Sequence, residues 1–202
     1  KTMNYDDISL LFLTLHGSRA YGTNTSESDW DLRGVGVAPT TSYFGTRPWK
    51  QFTNVDDEGI WNLFWSEFGH KEWEDKDEMR ENAEMDCDVM NVTKFIQLAA
   101  DANPNILDIL FAHPDDWIMT TSTWDKIYDQ RHEFLSMRVR HTYTGYAMSQ
   151  LKRIKSHRKW LLDPPKKKPE RADFGLPEGK ALVPKNVREI AESFLRKKQL
   201  KL

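Results

Sequence analysis

The chain has a single cysteine, Cys87, among its 202 residues, so no intrachain disulfide can form. A lone thiol suits a reducing compartment, and the cytoplasm is the expected location. No apolar run approaches the roughly 18–20 residues of a membrane span. No secretory leader is visible. No internal repeat is evident. His113, His132, His141 and His157 lack metal-ligand spacing, which argues against a histidine-rich zinc site. Gly34 and Gly36 form a G-V-G without a third glycine or a following helix, which excludes a dinucleotide fingerprint. What is left is a chain long enough for one domain, or one and a half, with a proper core.

Net charge also looks scarce, at −2, but the total hides a division. Residues 1–137 hold 11 Lys+Arg against 25 Asp+Glu, and residues 138–202 hold 18 against 6. The first part carries −14 and the second +12. A basic half of this kind suggests contact with nucleic acid. The plainer alternative is two solvated faces that neutralise each other.

Residues 16–37, HGSRAYGTNTSESDWDLRGVGV, gather most of the chemistry. The apolar run 10–15 reads as a buried strand, and residues 17–24 as a turn with a short helix. Residues 29–37 read as a second strand, with Asp29, Asp31 and Arg33 on one face and Trp30 and Leu32 on the other. Two carboxylates on one face repel each other, and a divalent cation between them removes that cost. Mg²⁺ is held in this way, by one or two carboxylates plus substrate phosphates. Gly17 and Gly22 let the backbone turn or approach closely, and N–H groups at a helix start attract phosphate. Gly17 and Ser18 are therefore the candidate phosphate cradle. Arg19 and Arg33 are candidate nucleotide contacts, and either could instead pair with the aspartates. Tyr21 could stack on a base or pack in the core.

Downstream, residues 38–55 read as a loop or small helix before another strand. Residues 56–84 are an acidic, Trp-rich insertion in which Trp61, Phe64, Trp65 and Phe68 have helix spacing. Residues 72–84 are dense in charge and read as a solvated face. Residues 85–90 form a short strand with Asp86 and Asp88 on one face, and residues 92–102 a helix. Asn103-Pro104 ends that helix, and residues 106–111 begin another. Residues 114–123 read as a loop, and a helix opens at 124–128 with Ser122 or Thr123 as its cap. Residues 134–160 form one or two long helices bearing Arg138, Arg140, Lys152, Arg153, Lys155, His157, Arg158 and Lys159. Residues 162–178 are a Pro/Lys-rich connector, and residues 184–200 a closing amphipathic helix. Gly34 and Gly36 suggest a bend or bulge near the end of the second strand.

Gly-Ser, a short helix and Asp-x-Asp resemble the signature of the DNA polymerase β-like nucleotidyltransferase superfamily. The longer pattern, Gly17-Ser18-Arg19-Ala20-Tyr21-Gly22 with Ser28-Asp29-Trp30-Asp31, is similar to one branch, the RNA-repair-pathway DNA polymerase β family. That resemblance extends to an acidic strand (Asp86), then Lys94-Phe95, then Asn103-Pro104 and an acidic-apolar helix. Relatives often carry an acid three residues before that lysine; here the position is Asn91.

The resemblance implies an α/β (α+β) core with a mixed sheet flanked by helices over residues 1–118. The insertion at 56–84 lies within it, and a basic, mostly helical region spans 119–202. It implies a nucleotidyltransferase that takes an NTP and releases pyrophosphate. Two Mg²⁺ ions, with Mn²⁺ an alternative, would be held by Asp29, Asp31 and a third acid. The spacing to the lysine favours Asp86 for that third acid, with Asp88 second. The implied acceptor is an RNA end met by the basic half. A protein or small-molecule acceptor, a toxin-like or defence role, and a non-catalytic nucleic-acid-binding module that kept the fold all stay open.

Overall fold

The computed structural model describes residues 7–44, 49–164 and 170–174. Its elements follow from the alternation of the strands. β1 (Ser9–His16) runs into α1 (Gly17–Ala20), and β2 (Trp30–Val37) returns antiparallel to β1. α2 (Thr40–Tyr43) and the two-residue β3 (Gln51–Phe52) follow. α3 (Glu58–Glu67) and α4 (Lys76–Asn82) lead into β4 (Met85–Asn91), which lies parallel to β2. Next come α5 (Val92–Ala100), α6 (Pro104–Leu110), β5 (Trp117–Thr120), α7 (Ser122–Asp129) and α8 (Arg138–Leu162). The sheet order is β3-β4-β2-β1-β5, with β4 antiparallel to β3 and β1 antiparallel to β5. This is the expected mixed sheet flanked by helices.

Each face of the sheet has its own core. On the first, Leu13, Leu15, Trp30, Leu32, Cys87 and Val89 pack against Ile60 and Phe64 of α3 and Met79 of α4. On the second, Phe12 and Val35 pack against α5, α6 and Trp124 of α7. Phe12 stacks on Trp124 with ring centroids 4.0 Å apart. The second face is apolar only part of the way. Toward the end of β1 and the starts of β2 and β4 it turns polar, with His16, Asp31, Arg33, Asp86 and Asp88. The two helices α5 and α6 cover the apolar part.

The structure corrects several expectations. Residues 117–120, read as loop, are the edge strand β5. Four residues are too few to display an alternation, and pairing with β1 supplies what the local sequence does not. The charged run 72–84 is not simply solvated. It contains α4, capped by Asp75, whose Met79 is 0 % exposed in the first core. Trp73, Met79 and Ala83, scattered among the charges, leave no clear periodic signal. The α7 cap is Thr121, whose Oγ1 accepts from Trp124 N, one residue before the expected pair. The long basic helix is continuous but starts at Arg138; Phe134 lies in a preceding 3₁₀ turn, Arg131–Phe134. The bend expected from Gly34 and Gly36 takes the form of a bulge in the facing strand, between Leu10 and Phe12.

By its internal packing the chain divides into Lys1–Ser149 and Gln150–Leu202. The first unit holds the sheet and both cores. In the second, the described residues are the rest of α8 and a 3₁₀ turn, Arg171–Phe174. Most of the expected connector and the helix at 184–200 lie outside the described residues. Among the described residues no helix is long and apolar enough to cross a membrane.

If the insertion belongs to the core, truncating Met79 must cost what a buried methionine costs. Met79→Ala is expected to lose about 2–5 kcal/mol of stability. Glu81→Ala, exposed on the same helix, should stay within about 0.5 kcal/mol. Urea denaturation of both variants measures the difference.

Candidate active site

The polar end of the second sheet face is assembled by register. His16, the last residue of β1, stands across from Asp31. Asp31 has Asp86 beside it on the parallel neighbour β4, and Arg33 has Asp88 beside it. Two acids 55 residues apart in the sequence are thus sheet neighbours. Their mutual repulsion is met by one guanidinium. Arg33 Nη2 donates to Asp31 Oδ1 at 3.0 Å and to Asp86 Oδ2 at 3.3 Å. Its Nη1 donates to the carbonyls of Leu32 at 2.8 Å and Asp86 at 3.1 Å.

Gly17 is required here for two reasons. Its φ is +66°, a conformation that costs other residues about 1–2 kcal/mol. A Cβ on it would also sit 2.1 Å from Asp31 Oδ2, so the carboxylate occupies the space a side chain would fill. Next to it, Ser18 Oγ is buried with no hydrogen-bond partner among the described residues. A buried unpaired hydroxyl is costly, and a ligand oxygen at this turn would satisfy it.

The remaining candidates divide. Asp29 lies one residue before β2 and is exposed, continuing the alternation through buried Trp30 to half-buried Asp31. Asp88 shares the face of Asp86, but its Oδ1 accepts from Asn54 N–H at 3.3 Å, and it lines a cavity beyond Arg33. Arg19 is a candidate contact for nucleotide or for the aspartates. Its guanidinium lies over the Trp30 ring, 3.7 Å from the centroid, and bonds the carbonyls of Ser28 and Asp29 and the Glu72 carboxylate. It braces the loop that carries Asp29. Lys94 is bonded to Gln51, and Asn91 caps α5 through Thr93 N.

These donors suit a hard dication. Asp31 and Asp86 are adjacent oxygen ligands that already share a cation, the guanidinium. Among the described residues no three His, Cys, Asp or Glu side chains are gathered into a metal cage. An ion held here would therefore rest on this pair and on oxygens brought by a substrate, the manner Mg²⁺ favours.

A second cluster was not foreseen. Tyr21 OH donates to Asp108 Oδ2 at 3.3 Å and lies 3.4 Å from His16 Nε2. Tyr143 OH donates to Asp108 Oδ1 at 3.0 Å. Asp108 thus ties the Gly17–Gly22 turn to α6 and to the first half of α8. Burial and Asp108 together push the Tyr21 phenol up to about 12 and raise that of Tyr143. A lone acid among the apolar residues of α6 was a visible signal for Asp108; nothing in the sequence marked Tyr143.

His16 has its pKa lowered from the ordinary 6.5, chiefly because burial disfavours the imidazolium and next because Arg33 repels it. Asp108 and Asp31 pull the other way. The folded protein therefore binds this proton less readily than the unfolded chain. The stability His16 contributes is whole above about pH 6.5 and is lost as pH falls through the lower folded value. His16→Gln should flatten that part of the stability curve relative to wild type, read by denaturation across this range. Gly17→Ala should cost more than the conformational 1–2 kcal/mol, because Asp31 must also move; denaturant unfolding of the variant checks it.

Residues 1–163 match the family model RlaP, the RNA repair pathway DNA polymerase beta family. No curated protein matches the chain, and no solved structure does. The matched span includes the glycine-serine turn, Asp29, both sheet-neighbour acids and the Tyr21–Asp108–Tyr143 cluster. By family the protein is of the polymerase β nucleotidyltransferase type. The chain belongs to the RNA repair pathway DNA polymerase beta family.

Proposed function

We propose that the protein is a Mg²⁺-dependent nucleotidyltransferase that moves a nucleoside monophosphate from an NTP to the hydroxyl of an RNA end, with release of pyrophosphate. One observation carries the reading: Asp31 and Asp86 are register neighbours on parallel strands and share a single guanidinium. Such a pair, left alone, has one more negative charge than Arg33 offsets, and it faces open polar surface rather than core.

The residues take distinct roles. Asp31 and Asp86 would hold the ion together with substrate oxygens, and Asp29, exposed one residue before β2, is the further candidate ligand. The geometry favours Asp86 over Asp88 for the third acid, since Asp88 is engaged by Asn54 and lies beyond the guanidinium. Bound Mg²⁺ would neutralise triphosphate charge and lower the pKa of the attacking hydroxyl. Gly17 brings the Asp31 carboxylate against the turn, and Ser18 Oγ offers an arriving phosphate an unused donor. Arg33 holds the two carboxylates together and presents positive charge where phosphate oxygens arrive.

An RNA acceptor suits the charge of α8. Its 25 residues carry seven Lys and Arg and no Asp or Glu. That charge would bind a phosphate backbone without reading its sequence, and the binding would weaken with salt.

Mg²⁺, labelled NTPs and total RNA incubated with the protein should yield labelled RNA. Asp31→Asn and Asp86→Asn should each cut the rate at least about 10²-fold, the scale of losing one charge-stabilising group. Label entering a protein or small-molecule pool instead would move the acceptor. If no pool is labelled and RNA still binds with no dependence on Mg²⁺ or NTP, the non-catalytic module is the correct reading.

A further inference from the structure

A cavity of about 440 Å³ lies between the second sheet face and the helices α5 and α6 and has no role in the reading so far. His16 and Arg33 are part of its wall, and the Arg33 side chain also bridges Asp31 and Asp86, so the cavity lies next to the carboxylate pair with the guanidinium between them. Phe95 and Leu98 of α5 give it apolar surface, while Asp88 and Asn105 line it with polar groups. A cavity of this size, mostly apolar with a few convergent polar groups, is the usual form of a small-ligand site. A nucleobase matches it well: two apolar faces to be covered, and an edge of donors and acceptors to be read.

Asp88 supplies the chemistry that discriminates. Asn54 N–H holds its Oδ1 at 3.3 Å and fixes the carboxylate, leaving Oδ2 to accept from a ligand. A carboxylate accepts from an exocyclic amino group and repels a carbonyl oxygen in the same place. We infer that the cavity takes a nucleobase bearing an exocyclic amino group, with Asp88 as the specificity-determining residue. The assignment rests on the nucleotidyltransferase reading above. The base can belong to the NTP or to the terminal nucleotide of the RNA acceptor; in both, the reacting group is part of the same nucleotide.

Calorimetric titration of the full chain with Mg²⁺ tests it, using the four NTPs, inorganic tripolyphosphate, and short RNAs ending in A or U. If the base is that of the NTP, ATP, CTP and GTP should bind about tenfold or more tighter than UTP, the scale of one unpaired polar contact. Asp88→Asn should erase most of that preference, since an amide can donate as well as accept. Leu98→Trp, which fills the cavity, should weaken the preferred NTPs about tenfold and leave tripolyphosphate unchanged. If the base is that of the acceptor, the four NTPs bind alike and the same pattern appears between RNAs ending in A and U. Equal binding of all bases from both sources, unaltered by either variant, overturns the assignment while leaving the nucleotidyltransferase reading intact. Failure to bind any NTP or tripolyphosphate overturns both.

Discussion

The site depends on one guanidinium between two carboxylates. Asp31 and Asp86 face the same side of adjacent parallel strands, where two like charges repel each other. Arg33 lies two residues beyond Asp31 on β2, so it shares that face, and its length lets it reach back along the strand to both acids. Its register partner on β4 is Asp88, yet its hydrogen bonds go to Asp86. The result is a compact group of net charge −1 whose oxygens are fixed before any substrate arrives, and fixed charge is what electrostatic stabilisation needs.

The two sides of β2 cannot be separated. The alternation that points Asp31 and Arg33 at the site points Trp30 and Leu32 into the first core. Trp30 meets Phe64, Phe68 and Trp73 of the 56–84 segment on that side. Arg19 lies over the same indole and bonds the carbonyls that lead into β2. The Trp-rich segment is therefore the support of the strand that carries Asp31. A lid over the active face would have to pack on the other side of the sheet.

Sequence patterns reveal what depends on local alternation and turn chemistry. The faces of β2 and β4, the Gly17-Ser18 turn, the Asn103-Pro104 helix boundary and the basic α8 were all legible for that reason. Long-range pairing was not. Nothing within residues 85–91 says that Asp86 rather than Asp88 lies beside Asp31; that follows from a one-to-one parallel register which only the assembled sheet fixes. β5 was hidden because an edge strand of four residues takes its conformation from β1. Arg19, read as a contact for nucleotide or for the aspartates, lies over the aromatic face of Trp30 and bonds the carbonyls leading into β2, contacts that its place beside a phosphate-type turn does not announce. The contact of Asp88 with Asn54 and its place in a cavity wall are likewise not encoded in sequence spacing.

The Tyr21–Asp108–Tyr143 cluster gives the turn a second anchor. Gly17 is held by the Asp31 carboxylate above it, but the far end of the turn, at Gly22, meets nothing that would fill the space of a side chain. Tyr21 lies just before that end, 56 % exposed, so packing alone does not hold it. Its hydroxyl does, through an Asp108 carboxylate that also accepts from Tyr143. Both phenols are shifted toward their neutral, donating forms, chiefly by burial and by the same Asp108 charge. One carboxylate accepting from two phenols fixes three elements at once, because neither hydroxyl can move without leaving a charge short of a donor. The turn beside Asp31 is thus held at one end by a glycine that admits a carboxylate and at the other by a carboxylate that grips a tyrosine.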